Sequence, residues 1–378
     1  MNIAIVCYPT FGGSGVVATE LGIALSQMDH KIHFIAYRKP VRLEKLQVSN
    51  IQFHEVHVPE YDLFKYQPYE LALSSRLVDV VKSFSIDVLH VHYAIPHAYA
   101  AYMAKKMLLD IGIKIPIVTT LHGTDITLVG NHPFYKPAVT FGINHSDRVT
   151  TVSESLKLDT LNSFDIDKKI EVVPNFIDIE KINLKKKPCL RSVLAQKNER
   201  IITHISNFRP LKRITDVISV FQKVKSHLEA KLFMVGDGPE KERAERLVKK
   251  IGLANDVVFF GNSNEIDKVL CYSDLFLLPS EKESFGLSAL EAMAHGVPVV
   301  SSNAGGISEV NKHGFSGFLS PVGDTEDMAR NAIHILEDTN RLNQFKRQAS
   351  EQAQLFDIKE TILTYERIYT EAIASIQY

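Results

Sequence analysis

In the stretch EKESFGLSALEAMAHGVPVV (281–300), two carboxylates, Glu283 and Glu291, stand eight residues apart on either side of Gly286. The apolar spacing around Glu291 predicts a helix, and eight helical residues span about 12 Å, a length that suits a nucleotide sugar. In that arrangement Glu283 could accept hydrogen bonds from sugar hydroxyls, and Glu291 from both hydroxyls of a ribose. The amides around Phe285, Gly286 and Leu287 at the helix start could hold a diphosphate, with Gly286 letting the backbone come close. The plain alternative is two solvated surface glutamates. Against it, an unpaired carboxylate inside LSALEAMAHGVPVV would be costly to bury.

Cations that could meet the same diphosphate stand in NFRPLKR (207–213). There Arg209, Lys212 and Arg213 follow a predicted strand, and Asn207 opens the motif. A guanidinium can grip phosphate oxygens bidentately, and a compact ammonium can add a point charge. A basic helix start on a solvated face would be unusual, because the helix dipole disfavours cations there. GDGPE (236–240) is a second glycine turn, in which Gly236 and Gly238 permit close backbone approach or simply form a plain turn.

Near the N-terminus, CYPTFGGSGVVATEL carries Gly13-x-Gly15-x-x-Ala18, glycines at a strand-to-helix turn that could cradle anionic oxygens or merely turn the chain. A nicotinamide reading would want an acidic residue at the end of the second strand, where Tyr37-Arg38 stands instead; Arg38 at best suits a 2′-phosphate. His90, His92, His97 and His122 with Asp125 could be drawn as a metal cluster, but their spacing fits no metal-ligand signature. His90 and His92 share a strand face, as satisfied core histidines would.

These groups need elements to hold them. The chain's 378 residues exceed one ordinary hydrophobic core and predict two domains. Short β-branched runs alternate with longer amphipathic ones, the pattern of βα units around buried parallel sheets. In the first half, 3–6, 32–37, 87–92, 117–122 and 148–153 read as strands, with a helix from about 14 to 28. In the second, 201–206, 231–236, 257–261, 275–279 and 298–302 repeat the scheme. The expected class is α/β, two Rossmann-like doubly wound domains facing a central cleft. The first covers 1–175, with a C-terminal helix at about 357–378 packing back on it, and the second covers 176–356. IEKINLKKKP reads as a crossover linker bracketed by Pro174 and Pro188, with Lys185-Lys186-Lys187 as solvated loop. Ligands in such sheets sit beyond the carboxyl ends of the strands, where these motifs cluster.

Forty-three Lys plus Arg against 44 Asp plus Glu leave a net charge of −1, which gives no bulk attraction to nucleic acid or acidic membrane. Cys7, Cys189 and Cys271 are few and widely spaced, which fits a reducing compartment rather than a disulfide scaffold. The opening MNIAIVCYP has no basic leader and too short an apolar run for a signal peptide or membrane span. The expectation is a soluble cytoplasmic protein without a stable membrane anchor; homo-oligomerisation stays open.

Taken together, Glu283-x7-Glu291 with AMAHGVPVVSSNAGGISEV, NFRPLKR, VGDGPE and the closing GFSGFLSPVGD resemble, in this order, the retaining glycosyltransferases of the two-Rossmann (GT-B) type. The likeness spans nearly the whole chain. Within that superfamily, CYPTFGGSG, HVHYAIPHA and TTLHGTDIT resemble the branch that begins bacillithiol biosynthesis. The resemblance implies UDP-N-acetylglucosamine as donor, held mainly by the second half, and transfer with retention to the hydroxyl of L-malate. It implies no cofactor and no metal, with Arg209, Lys212 and the amides near Gly286 neutralising the departing diphosphate. It places His122 beside the donor sugar, although a capping residue for the next loop remains its plain alternative. His122, Glu283, Arg209 and Lys212 are therefore the expected catalytic set, and Gly13, Gly15, Asn207, Gly236, Phe285, Gly286, Leu287 and Glu291 the expected donor contacts.

For a dianionic acceptor, cations and hydroxyl donors are wanted in the first half. Arg148 is the first candidate, with a salt bridge to Asp147 as its plain alternative. Ser14, Tyr93 and Thr124 at strand ends and Lys65 on a loop complete the expected acceptor contacts. A peripheral membrane glycosyltransferase and an NADP-dependent oxidoreductase using Gly13, Gly15 and Arg38 stay open, but the latter leaves Glu283 and Glu291 without a task.

Overall fold

Thirteen strands form two sheets in the computed structural model, which describes all residues except 11–12, 45, 47, 61, 63, 186–190, 192–195, 197, 264 and 377–378. The chain divides into two units, Met1–Asn175 with Ile358–Tyr378, and Phe176–Asp357.

In the first unit the strands are β1 (Asn2–Val6), β2 (Lys31–Ala36), β3 (Ile51–Glu55), β4 (Val88–His92), β5 (Ile117–Leu121), β6 (Arg148–Thr151) and β7 (Ile170–Val172). Their order is β3-β2-β1-β4-β5-β6-β7, and every pairing is parallel. β4 and β5 are buried along their whole length, as expected of strands covered on both faces. One face is closed by the helices Tyr69–Phe84 and Tyr99–Leu109, whose Leu73, Leu77, Ala101 and Ala104 pack over Leu89 and Val91. On β4 and β5, the helix Ile358–Ala374 brings the buried Tyr365 and Tyr369 to Thr120 and His90.

The second unit holds β8 (Arg200–Ile205), β9 (Ala230–Val235), β10 (Val257–Gly261), β11 (Leu275–Leu278), β12 (Val299–Ser302) and β13 (Gly317–Ser320), all parallel, in the order β10-β9-β8-β11-β12-β13. The amphipathic helix Ile214–Lys225 buries Val217, Ile218, Phe221 and Val224 against Leu232 and Leu277.

Three details differ from the sequence reading. Residues expected as linker form a helix, Ile179–Lys185, while Lys186, Lys187, Pro188 and Cys189 lie outside the described residues. Cys7 is a free thiol pushed up to about 12 by burial, whereas Cys271 is disulfide-bonded, a bond that the sequence reading did not single out. β3, β7 and β13 were not expected as strands. Among the described residues, no helix is long and apolar enough to cross a membrane.

Candidate active site

The strand orders reverse direction of travel at β1/β4 in one sheet and at β8/β11 in the other. At such a switch point the loops leaving two neighbouring strands diverge, and a crevice opens beyond their carboxyl ends. Both crevices are lined by residues with chemical potential.

In the second unit, the turn Pro210–Lys212 after β8 meets the loop after β11 through a 2.7 Å hydrogen bond from Glu281 N to Leu211 O. This brings Lys212 Nζ to 2.6 Å from Glu283 Oε2, with both side chains less than one-fifth exposed. Ser280 Oγ donates to the same carboxylate oxygen at 3.3 Å. The Glu283 backbone is clamped by Gly306 N, which donates to Glu283 O at 2.9 Å. Arg209 is exposed, and its guanidinium makes no hydrogen bond or ion pair with the described residues. Arg213 turns back onto its own helix: Nε donates to Asp216 Oδ2 at 2.6 Å, which offsets the dipole conflict locally.

Gly286 caps the helix Leu287–Ala294 with φ 98°, a conformation that favours glycine, and a Cβ there would lie 2.4 Å from Ile307 Cδ1. The Gly286 and Leu287 amides meet no acceptor among the described residues, which leaves a helix N-terminus with donors to spare. Phe285 is buried against Phe356 and anchors the turn by packing. Because the helix begins only at Leu287, the 12 Å of helical rise expected between the carboxylates is corrected: Glu283 sits in the preceding loop, and only the four steps from Leu287 to Glu291, about 6 Å, are helical. Gly236 and Gly238 serve the chain itself, since a Cβ on them would lie 1.8 Å from Ser206 O and 2.1 Å from Asn207 O. They let the loop after β9 press on the backbone that leads to the exposed Asn207.

In the first unit, the helix Ser14–Ser26 starts beyond β1, and Tyr93 follows β4. Ser14 Oγ and Tyr93 OH lie 2.6 Å apart, so two residues separated by 79 positions converge. Tyr93 also stands 5.2 Å from the His122 ring. Gly15 is sealed, as a Cβ would lie 2.5 Å from Tyr8 O, whereas Gly13 is exposed beside open space. Asp125 is 2 % exposed and ties the two strand ends together: Oδ2 accepts from Ala94 N at 2.9 Å, and Oδ1 from Gly123 N at 3.0 Å and His122 N at 3.3 Å. Burial pushes its carboxyl up to about 6, against the opposing pull of those amides. Thr124 begins the turn Thr124–Leu128 two residues after His122.

His90 is a satisfied core residue, bonded to Tyr369 OH at 2.7 Å and Thr120 Oγ1 at 2.8 Å. His92 is not: Nδ1 contacts His122 Nε2 at 2.7 Å, but Nε2 is buried without a partner among the described residues. His97 Nδ1 donates to His92 O, while its Nε2 and the Tyr69 hydroxyl are likewise buried and unpartnered. Burial holds His90 and His122 down at about 3 and His97 at about 4, so these rings are neutral near pH 7. No group of three or more His, Cys, Asp or Glu among the described residues is arranged to hold a metal ion.

Arg148 requires a correction. It opens β6 in register with Val118, at the amino end of the sheet, whereas His122 lies beyond the carboxyl end of β5. Its Nη1 donates to Asp147 O at 3.0 Å, and its Nε lies 3.7 Å from Glu371 Oε2, while Lys105 rather than Arg148 holds the Asp147 carboxylate. Its place as the first residue of the predicted strand 148–153 already set it at the amino end, away from a crevice beyond the carboxyl ends. Lys65 is exposed, 5.6 Å from the Tyr66 ring. The sequence reading missed Tyr8 and Tyr69, which approach His97 at ring distances of 4.6 and 6.5 Å. Tyr8 directly follows the first strand's loop entry and could have been found from that position alone.

Residues 11–181 match the family described as Glycosyltransferase Family 4, and 187–352 match Glycosyl transferases group 1. The N-acetyl-alpha-D-glucosaminyl L-malate synthase of Bacillus anthracis is 46% identical over 376 residues, covering 99% of this chain and 97% of that protein. The chain belongs to this glycosyltransferase family. An uncharacterized glycosyltransferase of Methanocaldococcus jannaschii is 28% identical over 89% of this chain and 90% of its own length. Among solved structures, Anabaena HepE in complex with UDP and glucose has a TM-score of 0.81 at 21% identity, covering 98% of this chain and 99% of that one. Sucrose-phosphate synthase from Thermosynechococcus elongatus has a TM-score of 0.80 at 19% identity, covering 99% and 100%. These likenesses give the GT-B fold, two Rossmann-like domains, to an enzyme of the glycosyltransferase class.

Proposed function

We propose that this glycosyltransferase moves N-acetylglucosamine from UDP-N-acetylglucosamine to the hydroxyl of L-malate, with retention, as the first step of bacillithiol biosynthesis. The observation that carries this reading is the 46% identity, over nearly the full length of both chains, to a protein named for that product. The site geometry agrees with it.

The second unit would hold the donor. Lys212, Arg209 and the free amides of Gly286 and Leu287 would meet the diphosphate, Glu291 the ribose and Glu283 the sugar hydroxyls. As the bond from the anomeric carbon to the diphosphate oxygen breaks, charge on that oxygen grows beside preplaced cations and amides. The malate hydroxyl would form its bond to the anomeric carbon on the face that UDP leaves, and its proton would pass to a diphosphate oxygen. Positioning and electrostatics then carry the catalysis, with no metal required.

The first unit would take the acceptor near Ser14, Tyr93 and Thr124, with His122 beside the transferring sugar. Lys65 remains the cation offered to a malate carboxylate, and Arg148 drops out. Incubating the protein with UDP-N-acetylglucosamine and a panel of L-malate, D-malate, inositol phosphate and buffer alone, followed by mass spectrometry, tests the reading. A glycoside formed with L-malate in preference to the others supports it; equal or better use of inositol phosphate overturns the acceptor.

A further inference from the structure

We propose that His92 is a positioning residue that fixes the tautomer of His122, so that the neutral His122 ring offers Nδ1–H, rather than a lone pair, to an oxygen of the substrate. The argument is one of hydrogen-bond accounting. His92 Nδ1 and His122 Nε2 are 2.7 Å apart, with the rings inclined by only 25°. One proton must lie between them: none would face two lone pairs together, and two would collide. Each neutral imidazole carries a single N–H, so the choice of which nitrogen owns the shared proton sets both far nitrogens.

If His122 were the donor, His92 would carry its proton on Nε2. That atom is buried and has no partner among the described residues, so an N–H would be stranded. If His92 is the donor, its Nε2 keeps only an unused lone pair, and His122 must hold its proton on Nδ1. Buried N–H groups without acceptors are rarer and costlier than under-used acceptors. The neighbouring ring shows the same resolution: His97 Nδ1 faces the His92 carbonyl, which can only accept, so its buried Nε2 is an idle lone pair too.

The frame is rigid. The His92 ring stacks on His90 at 4.4 Å, and His90 is held at both nitrogens by Tyr369 and Thr120. Asp125 does not compete, because its two oxygens are committed to the amides of Ala94, His122 and Gly123. On the other side His122 is half-buried, and Nδ1 has no partner among the described residues.

The test has a spectroscopic arm and a kinetic arm. Long-range 15N–1H correlation spectra of the histidine side chains, taken on the ligand-free protein near pH 7.5, identify the His122 signals by their loss in His122→Gln. The wild type should show His122 protonated at Nδ1 and bare at Nε2. In His92→Asp, whose carboxylate can only accept, a proton should appear on His122 Nε2. In His92→Asn, whose side-chain amide places an N–H donor near the former Nδ1, the wild-type tautomer should return. Wild-type His122 protonated at Nε2, or a His122 Nε2 that stays bare in His92→Asp, overturns the proposal.

The kinetic arm rests on the transfer reaction proposed above. His92→Leu should lower kcat roughly tenfold, the worth of one aligned hydrogen bond, with His92→Asn recovering most of the loss. If the wild type fails to glycosylate malate, the function is wrong and the tautomer result still stands. If the wild type is active and His92→Asn is as impaired as His92→Leu, His92 serves packing alone and the positioning role fails. The wild-type spectrum decides the tautomer even if His92→Asp does not fold.

Discussion

Replacing Glu283 by Gln should tighten UDP binding while slowing sugar transfer. In the free protein the Lys212 ammonium lies 2.6 Å from the Glu283 carboxylate, so the proposed diphosphate must share a cation already neutralised. A phosphate oxygen about 2.8 Å beyond that nitrogen would stand about 5 Å from the carboxylate. At that distance two unit charges repel by roughly 0.8–3 kcal/mol for effective dielectric constants of 80 to 20. Both side chains retain some exposure, 17% and 13%, which favours the low end. Removing the charge should then improve UDP affinity by about 1 kcal/mol, or about fivefold. UDP lacks the sugar, so the measurement isolates the diphosphate from the hydroxyl contacts assigned to Glu283. Calorimetric titration with UDP supplies the affinity, and steady-state turnover of UDP-N-acetylglucosamine should fall in the same variant. Unchanged or weaker UDP binding in a folded Glu283→Gln protein would refute the placement of the diphosphate at Lys212.

Arg148→Ala should leave the malate KM unaltered and cost about 1 kcal/mol of stability, since it removes a partly exposed contact with Glu371 and one hydrogen bond to Asp147 O; a raised KM in steady-state kinetics would return Arg148 to the acceptor site. Activity should persist in EDTA, and a loss restored by Mg²⁺ would contradict the cationic clamp. Stability should fall as pH drops below about 6.5, because His54, His90, His97, His122 and His204 are held at about 3 to 4 in the folded chain, so the unfolded chain binds more protons between those values and 6.5. Each can contribute up to about 1.4 kcal/mol per pH unit in that window. Asp125, raised to about 6, opposes them between 3.8 and 6, but it is one group against five. A urea midpoint that stayed flat from pH 7.5 to 5 would mean that the histidines are already charged in the native state.

The strands that sequence reading recovered are mostly interior ones, such as β4 and β5, whose continuous apolar runs follow from burial on both faces. Those it missed, β3, β7 and β13, all lie at sheet edges, where one side faces solvent and the run is broken or short. The loops at the switch points were legible because glycines, prolines and basic residues follow each interior strand. Pairing between loops was not legible. Nothing in NFRPLKR or EKESFG alone says that Lys212 meets Glu283, nor that Ser14 meets Tyr93 across 79 residues; both meetings follow from strand order. Arg148 shows the converse failure: its strand was legible with Arg148 as first residue, and that position alone set it at the amino end, opposite the crevice.

The central claim is a retaining transfer from a UDP-sugar to L-malate, and the anomeric configuration of the product tests it most directly. Proton NMR of the purified product, formed from UDP-N-acetylglucosamine and L-malate, reads that configuration from the coupling between the first two ring protons. The account predicts the small coupling of an α-linked glycoside, with one UDP released per product. A large, β-type coupling, or release of free N-acetylglucosamine without a malate glycoside, would contradict it.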